Sequence, residues 1–142
     1  MIYLIIGVPG TGKSWVCNKL QALANLNATI VQHDHYMKKQ YIPALVKAAS
    51  LDTNVIGELP FGISEQMAEL KAKGCDVCPI FIIEDEKTLR QRYQLREGRE
   101  IVQGHLTRQN TYKQRAVEYK AFSGTSQQVF DYLLKKIKEN QK

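Results

Sequence analysis

A glycine-rich run that ends in a lysine and a hydroxyl residue lies close to the start of the chain. Residues 7–14 read GVPGTGKS and match the pattern G-x-x-x-x-G-K-[ST] without departure. Glycines let such a loop curl so that its backbone N–H groups point at a phosphate, and a helix that begins there adds its positive dipole end. Lys13 can reach the β- and γ-phosphates of a nucleotide, and the Ser14 hydroxyl can hold Mg²⁺. The run predicts a site for ATP and Mg²⁺ formed by Gly7, Pro9, Gly10, Thr11, Gly12, Lys13 and Ser14.

Two carboxylates stand where predicted strands end. Asp34 lies in the sequence QHDHY, 21 residues after Lys13, and Glu58 closes the run VIGE. Ligands of parallel α/β sheets bind outside the carboxyl ends of the strands. We expect Asp34 to accept the proton of an attacking hydroxyl, although it could instead cap a helix. We expect Glu58 to hold Mg²⁺, with a solvent-facing strand end as the alternative.

All six arginines fall within residues 90–115. Arginine offers a planar fork of donors that suits phosphate groups. Arg92 and Arg96 are four residues apart and share a helix face, and Arg99 follows a glycine that permits a turn. We predict an arginine-rich lid at about residues 90–104, in which Arg92 and Arg96 are catalytic and Arg99 contacts ATP. A solvated basic helix is the alternative, and the remaining Arg108 and Arg115 could contact ATP phosphates or an acidic acceptor.

Weaker signals lie elsewhere in the chain. Gly124 and Thr125 precede the last predicted helix, where they form either an adenine-contacting loop or a plain turn. We expect Trp15 to pack the first helix against the sheet rather than to contact a base. Cys75 and Cys78 form a C-x-x-C pair without a second pair, so we interpret them as structural.

Short apolar runs that alternate with helical segments predict the α/β scaffold that positions these residues. Glu84 to Glu86 are expected to favour the dipole of the helix that they begin. The predicted strands are Ile2–Ile6, Ala28–Gln32, Asn54–Glu58, Pro79–Ile83 and Tyr119–Phe122. The predicted helices cover residues 13–24, 36–49, 63–73, a segment after 86, 104–118 and a final segment from 125 or 126. The helix over residues 36–49 is expected to be interrupted, or to begin, near Pro43.

Composition bounds the class of protein. The chain has 142 residues, of which 44% are hydrophobic and 24% charged, and its net charge is +6. These values are typical of a globular protein, and no apolar run approaches the ~18 residues of a membrane span. Three cysteines are too few for a disulfide framework. We therefore expect one domain over residues 1–142, a cytoplasmic location and no membrane partner.

The strand followed by GVPGTGKS, then VQHDHY and the arginine-rich segment, resembles the small P-loop kinases, in particular the kinase domain of phage polynucleotide kinases. This resemblance implies a single P-loop NTPase domain, a three-layer sandwich with about five parallel strands in the order 2-3-1-4-5. Asp34 and Tyr36 match the family pattern as they stand, whereas Met37 replaces an arginine. The lid arginine of the family is matched best by Arg92 and Arg96.

The residues favour transfer of the γ-phosphate of ATP to a hydroxyl of a nucleotide, a nucleoside or a polynucleotide 5′-end. A nucleoside monophosphate kinase is disfavoured because residues 35–89 contain no arginine to grip an acceptor phosphate. A kinase of another small molecule and a regulator that binds or hydrolyses ATP remain open.

Overall fold

Five parallel strands form one sheet in the computed structural model, which describes residues 1–37, 39–52, 54–59 and 63–139. The spatial order is β2-β3-β1-β4-β5, which confirms the predicted order. β1 is buried along its whole length and pairs with β3 and β4 on its two sides, as the continuous apolar run predicts. The strands are β1 (Ile2–Ile6), β2 (Thr29–Val31), β3 (Val55–Leu59), β4 (Val77–Ile82) and β5 (Phe122–Gly124).

Helices cover both faces of the sheet. Successive residues of β1 point to opposite faces, so Leu4 joins one hydrophobic core and Ile5 joins the other. α1 and α6 pack on the face of Ile5, and α2 to α5 contribute to the core on the face of Leu4. The helices are α1 (Lys13–Gln21), α2 (Tyr41–Leu51), α3 (Ile63–Ala72), α4 (Glu86–Glu97), α5 (Gln103–Glu118) and α6 (Ser126–Glu139).

The segment after β2 agrees with a helix that begins near Pro43 rather than at Tyr36. Residues 33–35 form a single 3-10 turn, and α2 begins at Tyr41. Gln40 precedes that helix, so Asp34 does not cap it. Asp34 therefore projects from a short turn beyond the carboxyl end of β2.

The last strand lies further along the chain than predicted. α5 continues to Glu118, and Lys120 then adopts a positive φ of 52°. The chain enters β5 only at Phe122, so the predicted strand at residues 119–122 is wrong in its position. None of the helices in the described ranges is long and apolar enough to cross a membrane.

Candidate active site

A cavity of about 390 Å³ opens around the loop that joins β1 to α1. β1 lies between β3 and β4, so the loop occupies the point where the strand order reverses, which is the usual ligand site of such sheets. Nine of the predicted site residues line this cavity: Pro9, Gly10, Gly12, Lys13, Ser14, Asp34, Glu58, Arg92 and Arg96.

The loop is shaped by contacts on its inner side. Thr11 is fully buried, and its hydroxyl donates a hydrogen bond to the Val8 carbonyl oxygen at 2.8 Å. Gly7 lies against that hydroxyl, so neither Gly7 nor Thr11 lines the cavity. Gly12 has a φ of 101° and a Cβ there would lie 3.1 Å from the Cβ of Ser126, which explains why a glycine stands directly before α1.

The ammonium of Lys13 lies inside the loop. Its Nζ donates hydrogen bonds to the carbonyl oxygens of Gly7 and Val8, the latter at 3.3 Å. Burial lowers the pKa of Lys13 to about 8, although the nearby Glu58 and Asp34 oppose that shift and Arg96 adds to it. These four side chains therefore act electrostatically on one another within a single site.

Glu58 is a buried carboxylate rather than a solvent-facing strand end. It is 3% exposed, and its Oε2 accepts a hydrogen bond from the Cys17 thiol at 3.5 Å. Burial raises the pKa of Glu58, while the Lys13 ammonium and a hydrogen bond from the His33 backbone oppose the shift. Glu58 and Lys13 line the same cavity and interact electrostatically.

Asp34 enters the same cavity from the 3-10 turn and remains exposed to solvent. His33 also lines the cavity, and its ring packs edge-on against Tyr41 with centroids 4.8 Å apart. His33 was not predicted to be a site residue. The only sequence feature that could have indicated its role is its position directly before Asp34.

The arginines of α4 occupy different environments. Nη1 of Arg92 donates hydrogen bonds to the Thr11 carbonyl oxygen at 3.0 Å, to Oε1 of Glu84 at 3.1 Å and to Oγ of Ser126 at 3.4 Å. Arg96 lies over the ring of Tyr93, 5.8 Å from its centroid, at the edge of the cavity. Arg92 is thus fixed to the back of the loop, whereas Arg96 borders the open space.

Glu84 has a structural role that the sequence did not reveal. It is 4% exposed, and its Oε1 accepts hydrogen bonds from the Ser126 N–H at 2.9 Å and from Arg92. The side chain of Gln109 in α5 bonds to both backbone groups of Glu84. Of the three acids expected to favour the α4 dipole, Asp85 caps the helix by accepting from the Thr88 N–H at 2.8 Å and Glu86 lies in its first turn, whereas the Glu84 carboxylate bonds to Ser126 and Arg92.

Besides Gly7 and Thr11, three more of the predicted ATP ligands are not among the residues that line the cavity. Arg99 donates a hydrogen bond to the Tyr93 hydroxyl at 3.5 Å. The Gly124 carbonyl accepts from the Ile83 N–H at 2.8 Å, and Thr125 exchanges hydrogen bonds with Gln128 at the start of α6. Both residues of that loop are thus held by local backbone and capping contacts.

A second cavity of about 440 Å³ adjoins the first. Gly12, Trp15 and Arg92 line both cavities, and Ser126 and Gln127 complete the second one. The expectation that Trp15 packs α1 against the sheet is wrong, because its side chain is 44% exposed. The sequence feature that could have indicated this second cavity is an aromatic residue directly after the P-loop serine.

The Trp15 side chain packs against Phe130 and Lys19 on one side only. Its ring meets the ring of Phe130 in α6 edge-on, with centroids 6.3 Å apart, and the Lys19 ammonium lies 4.6 Å from its centroid. The indole is thus held in place while much of its surface remains free.

Arg108 and Arg115 line a separate groove between the start of α3 and α5. They are not among the residues around the loop, so the structure does not bring them to the P-loop cavity. Cys75 and Cys78 are both free thiols.

In the described ranges, no group of three or more His, Cys, Asp or Glu side chains is placed to hold a metal ion. Mg²⁺ commonly binds through one or two protein oxygens together with phosphate oxygens and water. The hydroxyl of Ser14 and the carboxylate of Glu58 border the same cavity and fit that requirement. A metal here would thus depend on a bound nucleotide.

No protein-family model and no curated protein matches the chain. Solved structures do match. The tunicamycin resistance protein of Deinococcus radiodurans has a TM-score of 0.65 and 17% identity over 96% of this chain and 94% of that one. Shikimate kinase from Aquifex aeolicus has a TM-score of 0.53 and 17% identity, with 99% and 98% covered. A gluconokinase from Sinorhizobium meliloti has a TM-score of 0.54 and 16% identity, with 77% and 72% covered.

At these identities the matches establish the fold. The five parallel strands, their order and the helices on both sides are those of the small P-loop kinases. The narrower resemblance to the kinase domain of phage polynucleotide kinases stays a prediction.

Proposed function

We propose that the protein is an ATP-dependent phosphotransferase that moves the γ-phosphate of ATP to a hydroxyl group of an acceptor. The observation that carries this proposal is the single cavity that gathers the P-loop lysine, a buried glutamate, an exposed aspartate and an arginine. Phosphoryl transfer is chiefly positioning and charge neutralisation, and these are the side chains that it needs. The similarity to two kinases of small substrates supports the same reaction class.

ATP is proposed to bind with its phosphates over the start of α1. The backbone N–H groups of the loop and the Lys13 ammonium would hold the β- and γ-phosphates. Ser14 and Glu58 would hold Mg²⁺, which when bound neutralises phosphate charge. The adjoining cavity then offers the exposed face of Trp15 to the nucleobase.

Asp34 is the proposed base. The acceptor oxygen attacks the γ-phosphorus, the bond from that phosphorus to the bridging oxygen breaks, and ADP leaves. The Asp34 carboxylate accepts the hydroxyl proton and releases it to the solvent, to which it is exposed. Its place in the lining of the cavity that also contains Lys13 supports this role.

The two arginines of the cavity are proposed to act differently. Arg96 borders the open space, where its guanidinium can neutralise charge on the transferring group. Arg92 instead anchors the loop through its hydrogen bond to the Thr11 carbonyl oxygen. The proposed lid is therefore shorter than the predicted segment of about residues 90–104. It consists of the end of α4 and residues 98–102, and Arg99 lies at its outer edge.

The proposed acceptor is a nucleotide, a nucleoside or a polynucleotide 5′-end, because Asp34 is suited to a hydroxyl. A second candidate is another small hydroxylated molecule. The likeness to gluconokinase and shikimate kinase favours it, since both are kinases of small substrates.

The test is transfer of labelled γ-phosphate from ATP to a panel of 5′-hydroxyl oligonucleotides, nucleosides, nucleoside monophosphates, small polyols and water. We expect Mg²⁺-dependent label on a hydroxyl acceptor and none with the Lys13→Ala variant. Asp131→Asn, which alters an exposed residue of α6, is the control and should behave as the wild type. Label on phosphate groups alone, or in free phosphate alone, would contradict the proposal.

A further inference from the structure

One buried phenol links the two strands that carry the acidic residues of the site. Tyr41 is the first residue of α2 and is 1% exposed. Its hydroxyl oxygen accepts a hydrogen bond from the Glu58 N–H at 2.7 Å and donates one to the Val31 carbonyl oxygen at 2.7 Å. Val31 ends β2, so the same hydroxyl bonds to the backbone of both strands at the end of the β2–β3 pairing.

The sequence makes room for this contact. The β2–β3 pairing reaches Val31 opposite Gly57. A Cβ at Gly57 would lie 2.9 Å from the Tyr41 hydroxyl oxygen and 2.7 Å from Cδ2 of Leu45. A side chain at this position would therefore force the phenol away from the strands, which accounts for the glycine within an otherwise apolar strand.

The body of the phenol also contacts the turn that carries Asp34. The ring of His33 packs against Tyr41 with centroids 4.8 Å apart, and the His33 backbone hydrogen-bonds to Glu58.

From these contacts we infer that Tyr41 is a positioning residue that sets the separation of Asp34 and Glu58, and with it the alignment of the acceptor with the Mg²⁺-bound phosphate. Tyr41 does not line the cavity and acts only through the two strands and His33. This inference rests on the proposed function, because it gives the two carboxylates their roles from that proposal.

The test is Tyr41→Phe, which removes the hydroxyl and keeps the ring. Displacement of reacting groups by about 1 Å costs ~100-fold in rate. We expect kcat to fall about 10- to 100-fold, the KM for ATP to stay within about twofold, and the Mg²⁺ concentration for half-maximal rate to rise several-fold. Tyr119→Phe is the matched control, since it removes a hydroxyl that bonds to Ser64 at 3.2 Å, remote from the cavity, and should leave all three values unchanged.

Gly57→Ala is the second variant and keeps the hydroxyl while displacing it. It should give the same pattern of lowered kcat and retained KM for ATP, in protein shown to be folded by circular dichroism. Wild-type kcat and Mg²⁺ dependence in folded Tyr41→Phe would overturn the inference, as would equal losses in kcat and in ATP binding.

A binding measurement separates this inference from the proposed function. Mn²⁺ titrated into the ATP complex and followed by electron paramagnetic resonance reports the metal site without turnover. We expect Tyr41→Phe to weaken Mn²⁺ several-fold. An unchanged Mn²⁺ affinity overturns the inference, whether or not the wild type transfers phosphate.

Discussion

At the scale of single residues, the burial of Lys13 leads to a testable prediction about the proposed nucleotide binding. Its pKa in the folded protein, about 8, lies below the usual 10.5 because burial disfavours the charged form. The unfolded chain therefore binds more protons between pH 8 and 10.5. The penalty of burying this ammonium is fully present below pH 8 and is relieved as the pH rises toward 10.5.

We predict that ATP binding at pH 9 is accompanied by proton uptake, because triphosphate favours the charged form of Lys13. Calorimetry in buffers of different ionisation enthalpy measures that uptake, which should disappear at pH 6.5. The Lys13→Met variant should show no uptake at pH 9. Equal uptake in that variant would mean that another group carries the proton.

Trp15 supplies the second prediction at this scale. Stacking of a base on an aromatic side chain contributes about 1–3 kcal/mol, so Trp15→Ala should raise the KM for ATP about fivefold or more with a smaller effect on kcat. Leu95→Ala is a suitable control, because Leu95 is 87% exposed on α4 and does not line either cavity around the loop. An unchanged KM for ATP would place the nucleobase elsewhere.

At the scale of elements, α4 holds the loop from behind. Arg92 connects α4 to Thr11, and Glu84 connects the end of β4 to Ser126 at the start of α6. The side chains of Arg92 and Glu84 thus connect α4, the end of β4 and the start of α6 next to the glycine-rich loop. Truncation of Arg92 would leave the buried Glu84 carboxylate without its cation.

We therefore predict that Arg92→Ala lowers the free energy of unfolding by about 1–3 kcal/mol and raises the KM for ATP. Arg96→Ala should instead lower kcat by about 10-fold or more, with little change in stability, because Arg96 borders open space. Thermal unfolding and steady-state kinetics of both variants measure the difference. Identical losses of stability would contradict the separation of the two arginines.

At the scale of the whole molecule, the sheet and the P-loop follow from local sequence patterns. The apolar run of β1 followed by GVPGTGKS specifies a buried strand, a glycine-rich loop and a helix in succession. The strand and the loop depend on residues close together in the chain. The strand order, which the resemblance to the small P-loop kinases implies, is the one observed.

Contacts between distant segments could not be predicted in the same way. Glu84 reads as a helix-start acid, but Ser126 approaches it from 42 residues further along the chain and buries it. Tyr41 reads as one more apolar helix residue, and only the packed strands reveal its two hydrogen bonds. Trp15 was assigned to the core because indoles are usually buried, whereas the site leaves it exposed.

The most direct test of the account is the Asp34→Asn variant, assayed with the acceptor that the transfer panel identifies. Asparagine cannot accept the hydroxyl proton, so kcat should fall about 10²- to 10⁴-fold. ATP affinity, measured by calorimetry, should change by no more than about twofold, because the P-loop contacts are kept. Undiminished transfer in this variant, with Asp131→Asn equal to the wild type, would contradict the assignment of Asp34 as the base and with it the proposed mechanism.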